Sequence, residues 1–178
     1  IFNKYNKLAS SYVPKLVTLD DKYGISTRKQ QMTESAANAF AKLCEAAALE
    51  GLTIKSGSAY RSYDYQVTLY NSYAKTDGKD LADTYSGRPG YSEHQTGLAV
   101  DVYNGKENYT NFENTEEFKW MQKNAHKYGF ILRFPKNKTK ETGYQYESWH
   151  YRYVGKNIAE YIKNNNISYE EYYVQNIS

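Results

Sequence analysis

An acidic residue stands inside an apolar, strand-like run, and this placement constrains the fold more than any other feature of the chain. In Leu98-Ala99-Val100-Asp101-Val102 the side chains alternate, so the three branched residues share one face and Asp101 lies on the other. A buried carboxylate is costly unless it is paired or binds a metal. The fold must therefore bring a partner for Asp101 to this strand.

Two of the three histidines are candidates for that partnership. His150 lies in the aromatic segment 149–153, and His94 precedes the glycine turn that leads into the strand of Asp101. Two imidazoles and one carboxylate form a three-ligand set typical of catalytic zinc, whereas magnesium and calcium prefer oxygen ligands. Glu147 is a candidate base that takes a proton from water at such a metal. Each residue also has a structural interpretation, such as an ion pair between Asp101 and an Arg or Lys.

The third histidine and the single cysteine are predicted to be structural. His126 lies at the end of a polar helix, where a cation interacts favourably with the helix dipole. Cys44 lies on the apolar stripe of an earlier helix and is predicted to be a core thiol. One cysteine also excludes an internal disulfide and cysteine-based zinc sites.

The mixture of helical and strand-like patterns predicts an α+β fold, because no regular alternation of strand and helix appears. We predict strands at 52–55, 97–102, 130–134 and 148–154. We predict helices around 36–47, after a Ser62 cap, from Asn114 to Gly129, after Gly155 and after Ser168, with a long loop at 76–91. The length suits one domain spanning residues 1–178.

Charge and hydropathy exclude several functional classes. The net charge is +3, and the 23 basic residues are scattered among 20 acidic ones, so we expect no nucleic-acid partner. No apolar run is long enough to span a membrane. The first residues do not form a signal peptide, and the chain lacks a starting Met, so we expect a targeting or anchor segment that this sequence does not include. We also expect a monomer.

Three ordered segments resemble the signature of the VanY-type D-Ala-D-Ala carboxypeptidases, to which the peptidoglycan L,D-carboxypeptidases of the LdcB type are similar. The segments are Tyr60-Arg61-Ser62 followed by Gln66, the run Ser92-Glu93-His94-Gln95-Thr96-Gly97-Leu98-Ala99-Val100-Asp101, and Glu147-Ser148-Trp149-His150. The resemblance covers nearly the whole chain. Ser148 departs from the family, which often has Pro at this position, but the position is not a ligand.

The resemblance implies both an architecture and a set of catalytic roles. The expected domain is like the hedgehog and D,D-peptidase domains, with a small antiparallel sheet and flanking helices. By the same resemblance, His94, Asp101 and His150 are the Zn²⁺ ligands and Glu147 is the catalytic base.

Further residues are expected to contact the substrate. By resemblance, Arg61 holds the developing oxyanion or the terminal carboxylate of the substrate, because a guanidinium binds either through paired hydrogen bonds. Gln66 and Ser92 are expected to contact the carboxylate or the peptide backbone. Arg88 is a weaker candidate for the carboxylate. A group of tyrosines near the motifs is expected to line the cleft: Tyr60, Tyr85, Tyr91, Tyr144 and Tyr151.

The function implied is a zinc carboxypeptidase that removes the terminal D-Ala from peptidoglycan stem peptides, with D,D-activity preferred. Three alternatives stay open: an L,D-carboxypeptidase acting on tetrapeptides, a cell-wall endopeptidase, and a non-catalytic binding module, a role found on the related hedgehog scaffold. Because the substrate is cell-wall peptide, the expected location is outside the cytoplasmic membrane of a bacterium.

Overall fold

A four-stranded antiparallel sheet lies at the centre of the computed structural model, which describes residues 3–177. The strands are β1 (Val17–Thr18), β2 (Gln31–Met32), β3 (Lys55–Ser58), β4 (Ala99–Tyr103), β5 (Phe130–Leu132) and β6 (His150–Tyr153). The α-helices are α1 (Glu34–Leu49), α2 (Tyr63–Asp77), α3 (Lys79–Tyr85), α4 (Glu116–Asn124), α5 (Thr139–Thr142), α6 (Lys156–Asn165) and α7 (Tyr169–Asn176). Short 3₁₀ helices cover Asp21–Tyr23, Glu93–Thr96, Tyr109–Asn114 and Ala125–Tyr128.

The order of strands in the central sheet is β3-β4-β6-β5, and every neighbouring pair is antiparallel. Strands β1 and β2 form a separate two-stranded sheet. The predicted α+β class is confirmed. Strands β4 and β6, which are far apart in sequence, are adjacent at the middle of the sheet, so residues from the second and third signature segments lie side by side.

The main hydrophobic core lies between α1 and the sheet. Ala36, Phe40, Leu43, Cys44 and Ala47 recur at helical spacing and are all buried, as predicted. The ring of Phe40 packs edge-on against that of Phe130, with centroids 6.0 Å apart, and so joins α1 to β5. Cys44 is a free, buried thiol in this core. The helix therefore supports the sheet from the face opposite Asp101.

Two predicted segments differ from the structure. The strand predicted at 52–55 is β3, three residues further along, because Lys55-Ser56-Gly57-Ser58 is polar and owes its extended form to pairing with β4. A hydrogen bond from Ser56 to the Gln30 side chain satisfies one of its buried hydroxyls. The long loop predicted at 76–91 contains α3, whose buried Ala82 packs inward although glycines flank the helix.

The helix caps agree with the sequence predictions more closely than these two segments do. The Ser62 hydroxyl accepts a hydrogen bond from the Tyr65 amide and begins α2, as predicted. Ser168 and Glu171 form the predicted capping box of α7. The cap of α4 is Thr115 and not Asn114, because the Thr115 hydroxyl accepts from the Phe118 amide. No helix in the described part of the chain is long and apolar enough to cross a membrane.

Candidate metal centre

Strand register brings two of the predicted ligands together. Asp101 on β4 lies directly opposite His150 on β6, and directly opposed residues of an antiparallel pair have neighbouring side chains. The distance between His150 Nδ1 and Asp101 Oδ1 is 2.8 Å. His94 comes from the 3₁₀ helix before β4, and its Nε2 lies 3.3 Å from the same Asp101 oxygen. All three side chains are buried.

In each imidazole, the ring nitrogen that does not face Asp101 has a hydrogen-bond partner of its own. His94 Nδ1 lies 2.7 Å from the carbonyl oxygen of Ala59, which can only accept, so this nitrogen is the protonated one and Nε2 is free to bind a metal. His150 Nε2 lies 2.8 Å from Glu93 Oε2. Metal-binding histidines commonly use their second nitrogen in this way, which fixes the orientation of the ring.

The three residues fit zinc. His150 Nδ1 and His94 Nε2 lie 2.8 Å and 3.3 Å from Asp101 Oδ1, within the limit of about 4 Å for two atoms that each bind one zinc ion at about 2 Å. All three ligand atoms lie within 4.8 Å of one another. Two nitrogens and one oxygen suit zinc and leave a fourth position for water or substrate. These are the ligands that the family resemblance implies, and the fold places them in one group.

Glu93 is a member of this centre that the sequence analysis did not single out. Its carboxylate is buried, and besides His150 it contacts Arg133 Nε at 3.0 Å and Arg152 Nη1 at 3.2 Å. The Arg133 side chain also reaches Glu170 on α7, with 2.8 Å between Nη1 and Oε2. The sequence feature that could have identified Glu93 is its position directly before His94, within the second signature segment.

Arg61 lies on the other side of Asp101. Its Nη2 is 2.7 Å from Asp101 Oδ2, and its Nε donates to the Ser58 hydroxyl at 2.9 Å. The two oxygens of Asp101 are thus divided, with Oδ1 facing the imidazoles and Oδ2 held by the guanidinium. The Arg61 side chain keeps 18% of its surface exposed, so part of the guanidinium faces the cavity.

Glu147 is a buried carboxyl group at the wall of the same cavity. No hydrogen bond to its carboxylate is present within residues 3–177, although its backbone amide donates to the Phe134 carbonyl. Burial raises the pKa of Glu147 to about 8. A carboxyl group with a pKa near neutrality can both accept and release a proton at physiological pH.

Electrostatics favour the charged forms of the other acids. Burial alone would raise the pKa of Asp101, but its electrostatic interaction with His94 and the hydrogen bond from His150 hold it well below its usual value. Burial likewise opposes ionisation of Glu93, and Arg133 outweighs this and lowers its pKa. For His150, burial would lower the pKa, whereas hydrogen bonds to Asp101 and Glu93 raise it to about 10. The metal-free centre therefore carries a proton on each His150 nitrogen, and a metal displaces the Nδ1 proton.

These groups open into a cavity of about 270 Å³, which we call the catalytic cavity. Ser92 lines it, as the sequence analysis expected. Gln66 does not line it, because its buried amide donates to the Gly87 carbonyl at 2.7 Å and so holds the adjacent loop. Arg88 also lies outside the lining and pairs with Asp83 at 2.6 Å.

The predicted tyrosines divide between the catalytic cavity and other places. Tyr85, Tyr91 and Tyr144 line it, whereas Tyr60 does not and Tyr151 is buried in the main core. Tyr151 follows His150 on the same strand, so its side chain points to the opposite face of the sheet. Two tyrosines that the sequence analysis did not name, Tyr73 and Tyr109, complete the wall.

Sequence comparison relates the chain to peptidases. A family model described as "VanY: D-alanyl-D-alanine carboxypeptidase" matches residues 29–156. The chain is 40% identical to a putative carboxypeptidase, YodJ, of Bacillus subtilis over 97% of its own length and 66% of the relative's. It is 39% identical to a D-alanyl-D-alanine carboxypeptidase of Enterococcus faecium, over 84% of this chain and 46% of that protein. The chain thus spans less than two thirds of the length of either relative.

Solved structures share the fold. The LdcB LD-carboxypeptidase superposes with a TM-score of 0.90 at 41% identity, covering 97% of this chain and 84% of that one. A vancomycin-resistance D,D-pentapeptidase VanY variant, solved in complex with Zn(II), superposes with a TM-score of 0.83 at 29% identity, covering 97% of this chain and 96% of that one. The expected peptidase-like architecture is therefore confirmed.

Proposed function

The chain belongs to the VanY family of D-alanyl-D-alanine carboxypeptidases, and from that premise we propose that it is a zinc carboxypeptidase acting on peptidoglycan stem peptides. The observation that carries the proposal is the buried group of His94, Asp101 and His150 beside a buried, unpaired Glu147. A structural ion-pair network needs no carboxyl group whose pKa is raised towards neutrality at a cavity wall.

His94, Asp101 and His150 would hold the zinc ion through Nε2, Oδ1 and Nδ1 respectively. When bound, zinc polarises the scissile carbonyl and lowers the pKa of a water molecule to about 7. Glu147 would accept the proton that a water molecule loses when it attacks the carbonyl carbon. The same carboxyl group then delivers the proton to the nitrogen of the departing D-Ala as the peptide bond breaks.

Arg61 supplies positive charge next to the reacting groups. Its guanidinium, fixed by Asp101 and Ser58, stabilises negative charge that develops on the carbonyl oxygen or binds the terminal carboxylate. Ser92 lies at the cavity wall, where its hydroxyl can bond the substrate. Gln66 acts one step away from the substrate, because it holds the carbonyl of Gly87.

Two activities fit this arrangement, and they differ in the residue before the scissile bond. The family description and the Enterococcus faecium relative favour D,D-activity on pentapeptides, which we take as the first candidate. The higher TM-score with the LdcB LD-carboxypeptidase favours L,D-activity on tetrapeptides as the second. Both remove a terminal D-Ala through the same metal centre. With such a substrate we infer that the protein acts outside the cytoplasmic membrane, as a monomer and without nucleic acid.

The test compares zinc-loaded wild type with Glu147→Gln on synthetic tetrapeptide and pentapeptide stems, with product analysis by mass spectrometry. We expect D-Ala release by the wild type and a loss of at least about a thousandfold in kcat for Glu147→Gln, since the variant lacks the base but keeps all three ligands. Glu141→Gln, an exposed substitution on α5, is the matched control and should match the wild type.

Three outcomes would contradict the proposal. Stoichiometric zinc with no D-Ala release from either peptide would indicate a binding module. Equal activity of Glu147→Gln and wild type would show that Glu147 is not the catalytic base. Cleavage of stems whose C-terminus is amidated would indicate an endopeptidase, because a carboxypeptidase requires the free carboxylate.

A further inference from the structure

A second cavity adjoins the catalytic cavity on the far side of Arg61. It has a volume of about 360 Å³, and we call it the side cavity. Arg61, Tyr73, Asp101 and Tyr109 line both cavities, so the two form one continuous cleft. The shared wall includes the proposed zinc ligand Asp101 and the proposed oxyanion residue Arg61, and the side cavity therefore begins where the scissile bond would lie.

Four of the residues that line the side cavity are tyrosines. Tyr65, Tyr73, Tyr103 and Tyr109 line it, and the residues Tyr65 and Tyr109 are 44% and 41% exposed. Tyr109 is held by an edge-on contact with Trp149, with centroids 5.1 Å apart. Partly exposed rings of this kind provide a preformed apolar surface for a short alkyl chain.

Two charged residues of opposite sign line the same cavity without an ionic partner. Arg28 donates to the Tyr65 hydroxyl at 3.0 Å and to the Gly57 carbonyl at 2.8 Å, and both acceptors are neutral. The Glu107 carboxylate accepts from the amide of Asn111. Within residues 3–177 neither side chain forms an ion pair, in contrast to the neighbouring Lys29, which pairs with Asp21 at 2.7 Å.

Both groups keep hydrogen-bonding capacity for a ligand. A guanidinium has five N–H donors, and Arg28 uses two of them. The second oxygen of Glu107, Oε1, accepts no hydrogen bond from the described residues. A ligand that matches this cavity therefore has a short alkyl chain that ends in a carboxylate and an ammonium group.

We propose that the side cavity binds the side chain of a diamino acid in the stem peptide, one that ends in both a carboxylate and an ammonium group, as in diaminopimelate. This inference rests on the proposed function. The alkyl portion packs against the tyrosines, Arg28 binds the carboxylate and Glu107 binds the ammonium group. In a tetrapeptide stem the diamino acid directly precedes the terminal D-Ala, and because one residue spans about 3.5 Å of extended chain its side chain would reach the mouth of this cavity.

The experiment uses two tetrapeptide stems that differ only in the third residue, diaminopimelate or lysine, and the corresponding pair of pentapeptides. Lysine lacks the terminal carboxylate, so the ratio of kcat/KM between the members of a pair isolates the contact with Arg28. We expect the zinc-loaded wild type to prefer diaminopimelate by about tenfold or more. Arg28→Ala should bring this ratio close to one, and Lys29→Ala, which removes a neighbouring paired cation, should keep it.

Glu107→Gln tests the other end of the cavity. Both third residues carry the ammonium group, so this variant should lower kcat/KM on both peptides by a similar factor and keep the ratio. Thermal melting of each variant shows whether it is folded, because both substituted side chains are exposed. A ratio near one in the wild type, or a ratio that survives Arg28→Ala, overturns the assignment of the side cavity.

Binding separates this proposal from the proposed function. Calorimetric titration of Glu147→Gln with each peptide measures the same preference without turnover. A diaminopimelate preference in binding that disappears in the Glu147→Gln/Arg28→Ala double variant supports the side cavity even if the wild type releases no D-Ala, a result that would overturn only the proposed function. D-Ala release without any preference in kcat/KM or binding would overturn only the side cavity.

Discussion

His150 shows how single side chains decide the chemistry of this centre. Its two ring nitrogens face two carboxylates, Asp101 at Nδ1 and Glu93 at Nε2, each at 2.8 Å. Only the first of these carboxylates is near the other ligands, so the second orients the ring. Glu93 is in turn fixed by Arg133 and Arg152, and the ligand geometry thus depends on residues that contact no metal.

We predict that Glu93→Gln weakens zinc binding. The amide keeps nearly the same shape but loses the negative charge that makes His150 a better ligand, and it leaves two buried arginines with less compensation. The zinc dissociation constant should rise about 10- to 100-fold in a competition titration with a chromogenic chelator. Glu141→Gln is again the surface control. An unchanged zinc dissociation constant for Glu93→Gln would show that the Glu93 carboxylate does not support the metal centre.

At the scale of elements, glycines set where helices end and strands begin. Gly129 has a φ of +83° and ends the 3₁₀ helix that precedes β5, next to the turn into α6. A Cβ atom at this position would lie 2.8 Å from Tyr153 Cε2 and 3.1 Å from the backbone of Gly155. Gly51, after α1, has a similar φ of +77° but no atom within 4 Å of such a Cβ.

This pair separates backbone strain from steric contact. We predict that Gly51→Ala lowers the free energy of unfolding by about 1 kcal/mol, the cost of a left-handed conformation alone. Gly129→Ala should cost about 1–3 kcal/mol more, because the methyl group also displaces β6 and its neighbour. Urea denaturation of both variants measures the difference, and equal losses would show that Tyr153 and Gly155 move aside freely.

For the whole molecule, burying the groups of the metal centre lowers the free energy of unfolding when no metal is bound. The centre collects three carboxylates, two imidazoles and two arginines in a buried volume, and zinc, which binds only to the folded state, would offset part of that cost. Burial holds Glu147 protonated to about pH 8, and its neighbours hold His150 protonated to about pH 10. Both groups thus bind protons more tightly in the folded chain than in the unfolded one.

The stability of the metal-free protein should therefore fall as pH rises above about 6.5, because below that pH the lowered pKa values of His94 and His126 give a slope of opposite sign. Between pH 4.5 and about 8 folding takes up a proton at Glu147, and between pH 6.5 and about 10 it takes up one at His150. Each proton contributes a slope of about 1.4 kcal/mol per pH unit. Asp101 and Glu93 have lowered pKa values, so their contribution is lost only as the solution becomes more acidic.

Urea denaturation in the presence of a chelator, at intervals from pH 5 to 9, measures this profile. Glu147→Gln is the matched variant, because it should flatten the part of the profile below pH 8 and leave the His150 part. Zinc should reverse the trend, since its affinity rises as protons leave the ligands. A metal-free profile that is flat, or that rises with pH, between about pH 6.5 and 9 would contradict the predicted protonation of both groups.

The sequence by itself determined the residue types of the centre, the α1 stripe and the caps at Ser62 and Ser168, because these depend on spacing within one segment. It misplaced β3 and missed α3, since a polar strand and a glycine-flanked helix take their form from neighbours elsewhere in the chain. Glu93 belongs to the same class: its contacts are residues 40 to 59 positions away.

Tertiary structure alone decided which residues meet. The register of β4 and β6 places Asp101 across from His150. Tyr151, the next residue on β6, lies on the other face of the sheet and is therefore in the core and not in the cleft. The amide of Gln66 turned away from the catalytic cavity to Gly87, and Arg28 and Glu107 came together in the side cavity. Local patterns encode residue chemistry and local conformation, whereas the position of a side chain in a shared site depends on long-range pairing, which a single segment does not encode.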